Sequence, residues 1–589
     1  MPADHYSAFL QEAFIDPIRS VLIIDDDYPT YEEILNPGAR AEGTEHPVDV
    51  KQWRRDPEPI LKVIRRFRSS TPPLLVDIHD GFNVEAVADV ATAAHLHQSD
   101  FLVLDFQLDR SRTDDGTQAI AIIRQLARND HFNLVLVHTQ TELDVVFEQV
   151  CLAMLSKPGG QIDEGAAEAA GKLIDEDADK VRPDLGEEIL TSIGRTQYLA
   201  SRYEAHEFTG RAFSGKAPFG KFKELLDEAK FKKSDIKTVL DYAVEHAGRK
   251  LAEFMVDGDD PIPTRSKGDI KWLKTGTVFV AFCRKNDSQD LMAEMLKALN
   301  DWRPPPSRLY LAKLRAVMDD QGMVAQELAL GHKHALAHWY DRLLRSDARE
   351  RQSRVAESVQ RHSDELLAAV LRDVIDYANR LVDAEIAAGD IDKLAIKHFD
   401  IDLQNDERKR QALLEHNAFV CSKPRFGWHL TTGHVFTLNG DHWICLSPAC
   451  DTVPTQLTNF QKESFGSRLP FTAVKLNKLA GSHMLTDVNS NRYVFLRIDG
   501  EITCFGFDPK PGSAPYWRTL YAENEGELKD WSFDVLLTAT RGKELVFEKA
   551  SAHVVSQLRY EYALNLIQRL GISLTRIGLD FAGLDRAPK

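Results

Sequence analysis

Residues 20–27 read SVLIIDDD, an apolar run of four residues followed by three carboxylates. A short apolar run bounded by acidic residues fits a strand buried on both faces, with negative charge at its carboxyl end. In an open α/β sheet that edge is where ligands bind. Residues 101–109, FLVLDFQLD, repeat the theme and set Asp105 behind a second apolar run. Two strand ends therefore offer Asp25, Asp26 and Asp105 to one site. A third run, NLVLVH at 133–138, carries Thr139 at its end. Between the last two runs, Gly116 opens TQAIAIIRQLA, a stretch with the period and length of an amphipathic helix. Strands alternating with helical stretches predict βαβ units and a doubly wound parallel sheet. An Asp at a strand end can simply cap the next helix. Three strand ends in order, each carrying an oxygen donor, exceed what capping requires.

These residues resemble the receiver domain of two-component response regulators. That family carries an acidic pair after strand one, a phosphoacceptor Asp after strand three, a Thr or Ser after strand four and a Lys after strand five. Asp25 and Asp26 match the pair, Asp105 the acceptor and Thr139 the hydroxyl. The resemblance implies a magnesium ion held by Asp25, Asp26 and Asp105, with Thr139 contacting the phosphoryl group. The residue types suit that chemistry. Magnesium takes hard oxygen ligands and combines one or two carboxylates with phosphoryl oxygens. Phosphoryl transfer asks mainly for in-line positioning and charge neutralisation.

Two lysines compete for the remaining place. Lys157, in LSKP, copies the family's Lys-Pro but follows Thr139 closely, in what reads as a helix continuing from Glu142. Lys285 follows the β-rich run TVFVAFC at 277–283 and precedes the amphipathic SQDLMAEMLKALNDW. A strand and then a helix is what the last receiver unit needs, so Lys285 is favoured, although Asn286 replaces the usual Pro. Phe282 then falls where receivers carry a switch aromatic.

Lys285 implies a helical insertion at about 158–271, with Ser234 as the N-cap of its last long helix. A second insertion separates Asp26 from Asp105, where the charged VDVKQWRRDPEPILKVIRRFR reads as an elaborated first helix and loop. Such decoration is similar to that of divergent receivers accompanying bacterial conflict and phage-defence systems.

The chain has 589 residues, enough for three or four domains. With 43% hydrophobic and 28% charged residues it can build real cores. A formal charge of −17 disfavours nucleic acid or an anionic membrane surface as a partner of the whole chain. No apolar run approaches the ~20 residues of a bilayer span, and the N-terminus lacks a basic segment followed by an apolar core. A soluble, cytoplasmic protein is expected. Six cysteines, none spaced as CxxC, read as reduced and mostly buried thiols.

The expected domains are a receiver-like α/β domain at 1–303, a helical linker, dimerisation or docking region at 304–417, and a β-rich domain with a closing helix at 418–589. Pro304, Pro305 and Pro306 stop one helix and restart the chain. Residues 349–388 keep apolar residues at helical spacing, which fits a packed bundle and makes a homodimer reasonable. Beyond 418, Asn439-Gly440 and Asp499-Gly500 sit between alternating runs and predict hairpins of a small barrel or sandwich. The chain closes on a helix that Gly571 is expected to end.

In SPACD, Cys450 and Asp451 stand at a strand end, as in small β domains of uncharacterised bacterial proteins with a TxxCD-like loop. A nucleophilic Cys450 would need a base from His429, His434 or His442, and Cys445, Cys450, His434 and His442 could be offered to zinc. Neither spacing matches a finger or protease signature, and ordinary core and turn roles are the expectation.

No phosphate-cradling glycine loop, GxSxG or HExxH occurs, so phosphate must come from elsewhere. The resemblance implies a histidine kinase or GHKL-type ATPase as partner, or a small phosphodonor, with an effector protein downstream. Three functions follow. The first is a receiver that accepts phosphate on Asp105 and alters the contacts of the helical and C-terminal domains. The second is a degenerate receiver serving as scaffold for an ATPase or effector. The third is an enzyme centred on SPACD.

Overall fold

The computed structural model describes residues 5–35, 51–81, 99–108, 115–128, 131–158, 163–232, 234–258, 260–285, 290–454, 457–480, 483–510 and 513–575. The chain forms two compact units, residues 1–316 and 317–589.

The first unit is built on a seven-stranded sheet. Its strands are β1 (Ser20–Ile24), β2 (Leu75–His79), β3 (Phe101–Leu104), β4 (Asn133–Thr139), β5 (Thr264–Arg265), β6 (Trp272–Lys274) and β7 (Val278–Arg284). The order is β2-β1-β3-β4-β7-β6-β5. The first five are parallel, and β6 and β5 extend the sheet antiparallel. All four residues of β3 and the first five of β4 are buried, which explains their unbroken apolar sequence. The helices between strands are α1 (Glu58–Arg68), α2 (Thr117–Ala127) and α3 (Leu143–Ala153), and α5 (Leu291–Trp302) follows β7.

The insertion between β4 and β7 is helical and ends in α4 (Ile236–Leu251). Its Ile189, Tyr198, Leu226 and Leu240 belong to the same apolar cluster as Leu104, Val137 and Phe282 of the sheet. The insertion therefore thickens the core of the first unit instead of hanging from it.

Two local expectations are corrected. The helix after Glu142 stops at Ala153, and the Lys157 N–H instead bonds the Val256 carbonyl at 2.9 Å. The N-cap of α4 is Asp235, whose side chain accepts from Ser234 Oγ at 2.7 Å. Beyond the segment read as first helix and loop, which does form α1, the insertion also supplies an edge strand of the sheet, β2, whose Leu75 is 75% exposed. An edge strand solvated on one side lacks the continuous apolar run that marked β1, β3 and β4.

The second unit begins within helix α6 (Pro306–Leu330) and continues with α7 (Lys333–Arg345), α8 (Ala348–Ala388), α9 (Ile391–Phe399) and α10 (Asp406–Cys421). A nine-stranded sheet comes next: β8 (Ser422–Lys423), β9 (His434–Leu438), β10 (Asp441–Cys445), β11 (Leu469–Lys478), β12 (Tyr493–Ile498), β13 (Glu501–Gly506), β14 (Trp517–Ala522), β15 (Ser532–Arg541) and β16 (Glu544–Leu558). Strands β10-β9-β16-β15-β14-β11 close on themselves through β10–β11 pairing, so the fold is a barrel and not a sandwich. Inside it Phe436, Phe471 and Phe533 meet edge to face.

Both hairpin turns have positive φ at both central residues, 51° and 81° at Asn439-Gly440 and 50° and 86° at Asp499-Gly500. That is the demand of a tight two-residue hairpin, and the reason Asn/Asp-Gly predicts it. The closing helix α11 (Tyr560–Leu574) runs through Gly571 and ends three residues later. Its Ala563, Leu566 and Leu570 pack onto the barrel, and this burial outweighs glycine's weak helix propensity. Among the described residues no helix is long and apolar enough to cross a membrane.

Candidate functional site

The strand order 2-1-3 reverses direction at β1, so the crevice opens at the carboxyl ends of β1 and β3. Ladder hydrogen bonds continue one residue past the strands. The Asp25 N–H bonds the His79 carbonyl at 3.0 Å, the Asp105 N–H the Ile24 carbonyl at 2.8 Å, and the Lys285 N–H the Thr139 carbonyl at 2.8 Å. Each of these backbones is fixed by the sheet, and only the side chains reach into the crevice.

Lys285 Nζ lies 2.8 Å from Asp25 Oδ2 and 2.8 Å from Asp105 Oδ2. The second oxygen of Asp25 accepts from the Asp27 N–H at 3.0 Å and that of Asp105 from the Gln107 N–H at 3.4 Å. Ligand oxygens of Asp25, Asp26 and Asp105 all lie within 4.8 Å of one another, and no other such group of three occurs among the described residues. Asp25 and Asp105 are each 7% exposed.

Three carboxylates against one ammonium leave an excess of two negative charges in a nearly buried site. Burial pushes the Asp105 carboxyl up to about 7, against the pull of Lys285 and with the push of Asp25. Burial disfavours the Lys285 ammonium, but Asp25 and Asp105 outweigh it and hold its pKa above the ordinary lysine value. A hard divalent cation is the group that this donor set and charge excess fit.

The structure thus gathers Asp25, Asp26, Asp105 and Lys285. Thr139 is fully buried at the end of β4, where its Oγ1 accepts from the Thr141 N–H at 3.1 Å and its own proton stays available for donation. Phe282 is buried in the core with its ring edge-on to Phe147, centroids 5.4 Å apart. Lys157 does not join the site; its Nζ pairs with Asp257 at 2.7 Å.

Two contributors escaped the sequence. Tyr28 is buried, and burial together with Asp25 raises its hydroxyl pKa far above the usual value. His138 is held down to about 4 by burial and by Lys285, so it is neutral at the site's flank. Neither residue type carries a spacing that would have marked it.

The SPACD region assembles no comparable centre. Cys450 is exposed and its Sγ meets only the neighbouring Asp451 Oδ1, at 3.4 Å. Cys445 is buried, and burial pushes its thiol up to about 12. His442 packs against the Phe505 ring at 4.8 Å. His434 is fully buried and spends both ring nitrogens on backbone, Nδ1 accepting from the Thr431 N–H and Nε2 bonding the Phe426 carbonyl, each at 3.2 Å.

Burial lowers the His434 pKa from 6.5 to about 4. The neutral ring stabilises the barrel fully above pH 6.5. That contribution is lost as pH falls towards 4, because the unfolded chain takes up the proton first. About 3 kcal/mol of unfolding free energy is expected to go in this window. Denaturant titrations followed through the barrel tryptophans should show the slope with pH, and His434→Gln should make it shallower, the remainder coming from His429, which burial also lowers to about 4.

Residues 17–187 match the family model for a response receiver domain. No curated protein and no solved structure matches the chain. The matched stretch contains Asp25, Asp26, Asp105 and Thr139 and ends before β7, so Lys285 enters the site through the sheet alone.

Proposed function

We propose that this divergent response receiver accepts a phosphoryl group on Asp105 with magnesium bound, and that the change is passed to the helical region at 304–417 and the β-rich region at 418–589. The observation that carries the proposal is Lys285 Nζ bridging Asp25 and Asp105 at 2.8 Å each. A lysine contributed from outside the family match completes the set a phosphoacceptor site needs.

Asp25, Asp26 and Asp105 would hold magnesium, which when bound supplies positive charge to a phosphodonor's oxygens. Asp105 is the nucleophile. One carboxylate oxygen attacks the donor phosphorus, a P–O bond to Asp105 forms, and the donor's P–N or P–O bond breaks with its electron pair leaving on the donor. Lys285 is left to pair with the new phosphoryl oxygens. Thr139, with its hydroxyl proton uncommitted, turns that proton to the phosphoryl group, and Phe282, one strand over, answers by repacking against Phe147. Since the chain shows no ATP-cradling loop, the donor is a partner kinase of the histidine-kinase or GHKL type, or a small acyl phosphate.

Incubation of the full chain with acetyl phosphate and magnesium should add one phosphoryl group by intact mass, removable by hydroxylamine as an acyl phosphate requires. Asp105→Asn should add none. A label that persists in Asp105→Asn would overturn the assignment. No label on the wild type would point instead to a non-catalytic scaffold for an ATPase or effector.

A further inference from the structure

Helix α8, 41 residues long, has two apolar faces. One, with Val374, Tyr377 and Leu381, is buried within its own unit. The other consists of Leu367, Leu371, Ile375, Ala378, Val382 and Ile386. At about 100° per residue these six fall within an arc of about 100°, the width of a core-facing stripe. The five larger ones are between 38% and 51% exposed. Isolated exposed leucines mean little, but a stripe about 28 Å long marks an interface.

The occupant is written in the spacing. Intervals of 4, 4, 3, 4 and 4 read the same from either end, so the stripe is mirrored about the point between Asp376 and Tyr377. A two-fold axis through that point would set Leu367 against Ile386, Leu371 against Val382 and Ile375 against Ala378 of an antiparallel copy. Arg372 and Asp383 are exposed on the flank away from the buried face. In the same arrangement Arg372 of each copy meets Asp383 of the other, twice over. A two-fold interface needs one patch that complements itself, and both the apolar and the charged residues satisfy this.

We infer that the chain forms a homodimer in which two α8 helices pair antiparallel through this stripe. The inference uses nothing of the receiver site and stands whether or not Asp105 accepts phosphate.

Sedimentation equilibrium of the full chain, at concentrations on the order of 10 µM, should give a dimer. Leu371→Glu with Val382→Glu should give a monomer of unchanged helix content by circular dichroism. Arg372→Glu and Asp383→Arg should each weaken the dimer about tenfold, and the two together should restore it. In a parallel pair these residues lie about 16 Å apart along the axis, and the double reversal restores nothing. A monomeric wild type, a dimer that tolerates the double glutamate, or charge reversals that fail to compensate would each overturn the proposal.

Discussion

Lys285→Ala is expected to cut phosphoryl acceptance by at least about 100-fold, the usual loss when one preorganised charge is taken from a developing anion. The reason lies in the balance at the site. Asp25 and Asp105 share the Lys285 ammonium at 2.8 Å each, in surroundings that already push Asp105 up to about 7. Without the ammonium, the largest influence lowering the Asp105 pKa disappears, and the carboxyl takes up a proton at neutral pH. A protonated acid is no nucleophile. The folding consequence has a definite sign. A carboxyl whose folded pKa lies above its unfolded value of 3.8 costs stability once pH rises past that value. The mutant should therefore be least destabilised near pH 5 and most at pH 8, where leaving the buried carboxylates without their partner costs on the order of 3 kcal/mol. Lys285→Arg keeps the charge and should retain the stability. Labelling rates with acetyl phosphate and urea midpoints at the two pH values read both effects. An alanine variant that labels at the wild-type rate would show that Lys285 is no part of the chemistry.

Gly116→Ala should be strongly destabilising. A Cβ at Gly116 would overlap the ring of Phe106, with Cε1 at 2.5 Å the farthest of the three nearest ring atoms. Phe106 is 1% exposed and directly follows Asp105, so its ring has little room to turn and a shift of its backbone would carry Asp105 with it. Overpacking of this kind costs about 3 kcal/mol. Phe106→Ala leaves a cavity and costs a similar amount, about 3–5 kcal/mol. In the double variant the new methyl enters the vacated space, so the two losses should fall well short of adding. Thermal melts of the four proteins in this cycle test the point, and an alanine variant with the wild-type midpoint would refute it. The glycine stands at 116 because the aromatic after Asp105 packs against its bare Cα, whatever else a helix start would tolerate.

The parts of the receiver legible in the sequence are those where burial leaves an unmistakable pattern. VLII, FLVL and LVLV are buried on both faces and continuously apolar, so Asp25 and Asp105 stand out as the first polar residues after their runs, and Thr139 follows one residue behind His138. Lys285 was traceable for the same reason, through VFVAFC. Strand β2 was not, because LVDIH lies at an edge and mixes exposed with buried residues. The antiparallel β5 and β6 are too short to carry any period. Chain direction at the two Asn/Asp-Gly turns was decided by local backbone chemistry and was readable without tertiary context. Barrel closure was not readable, since it depends on β10 meeting β11 across an intervening helix and loop. Gly571 illustrates the opposite failure, a local stop signal overridden by the burial of Leu566 and Leu570.

A working phosphoacceptor site in the crevice at the ends of β1 and β3 would bind a phosphoryl mimic. Calorimetric titration of the full chain with beryllium fluoride reads that binding. Saturable binding that requires magnesium and vanishes in Asp105→Asn is the predicted result. A wild-type chain that binds no beryllium fluoride in the presence of magnesium, or an Asp105→Asn variant that binds it equally well, would rule out Asp105 as the acceptor.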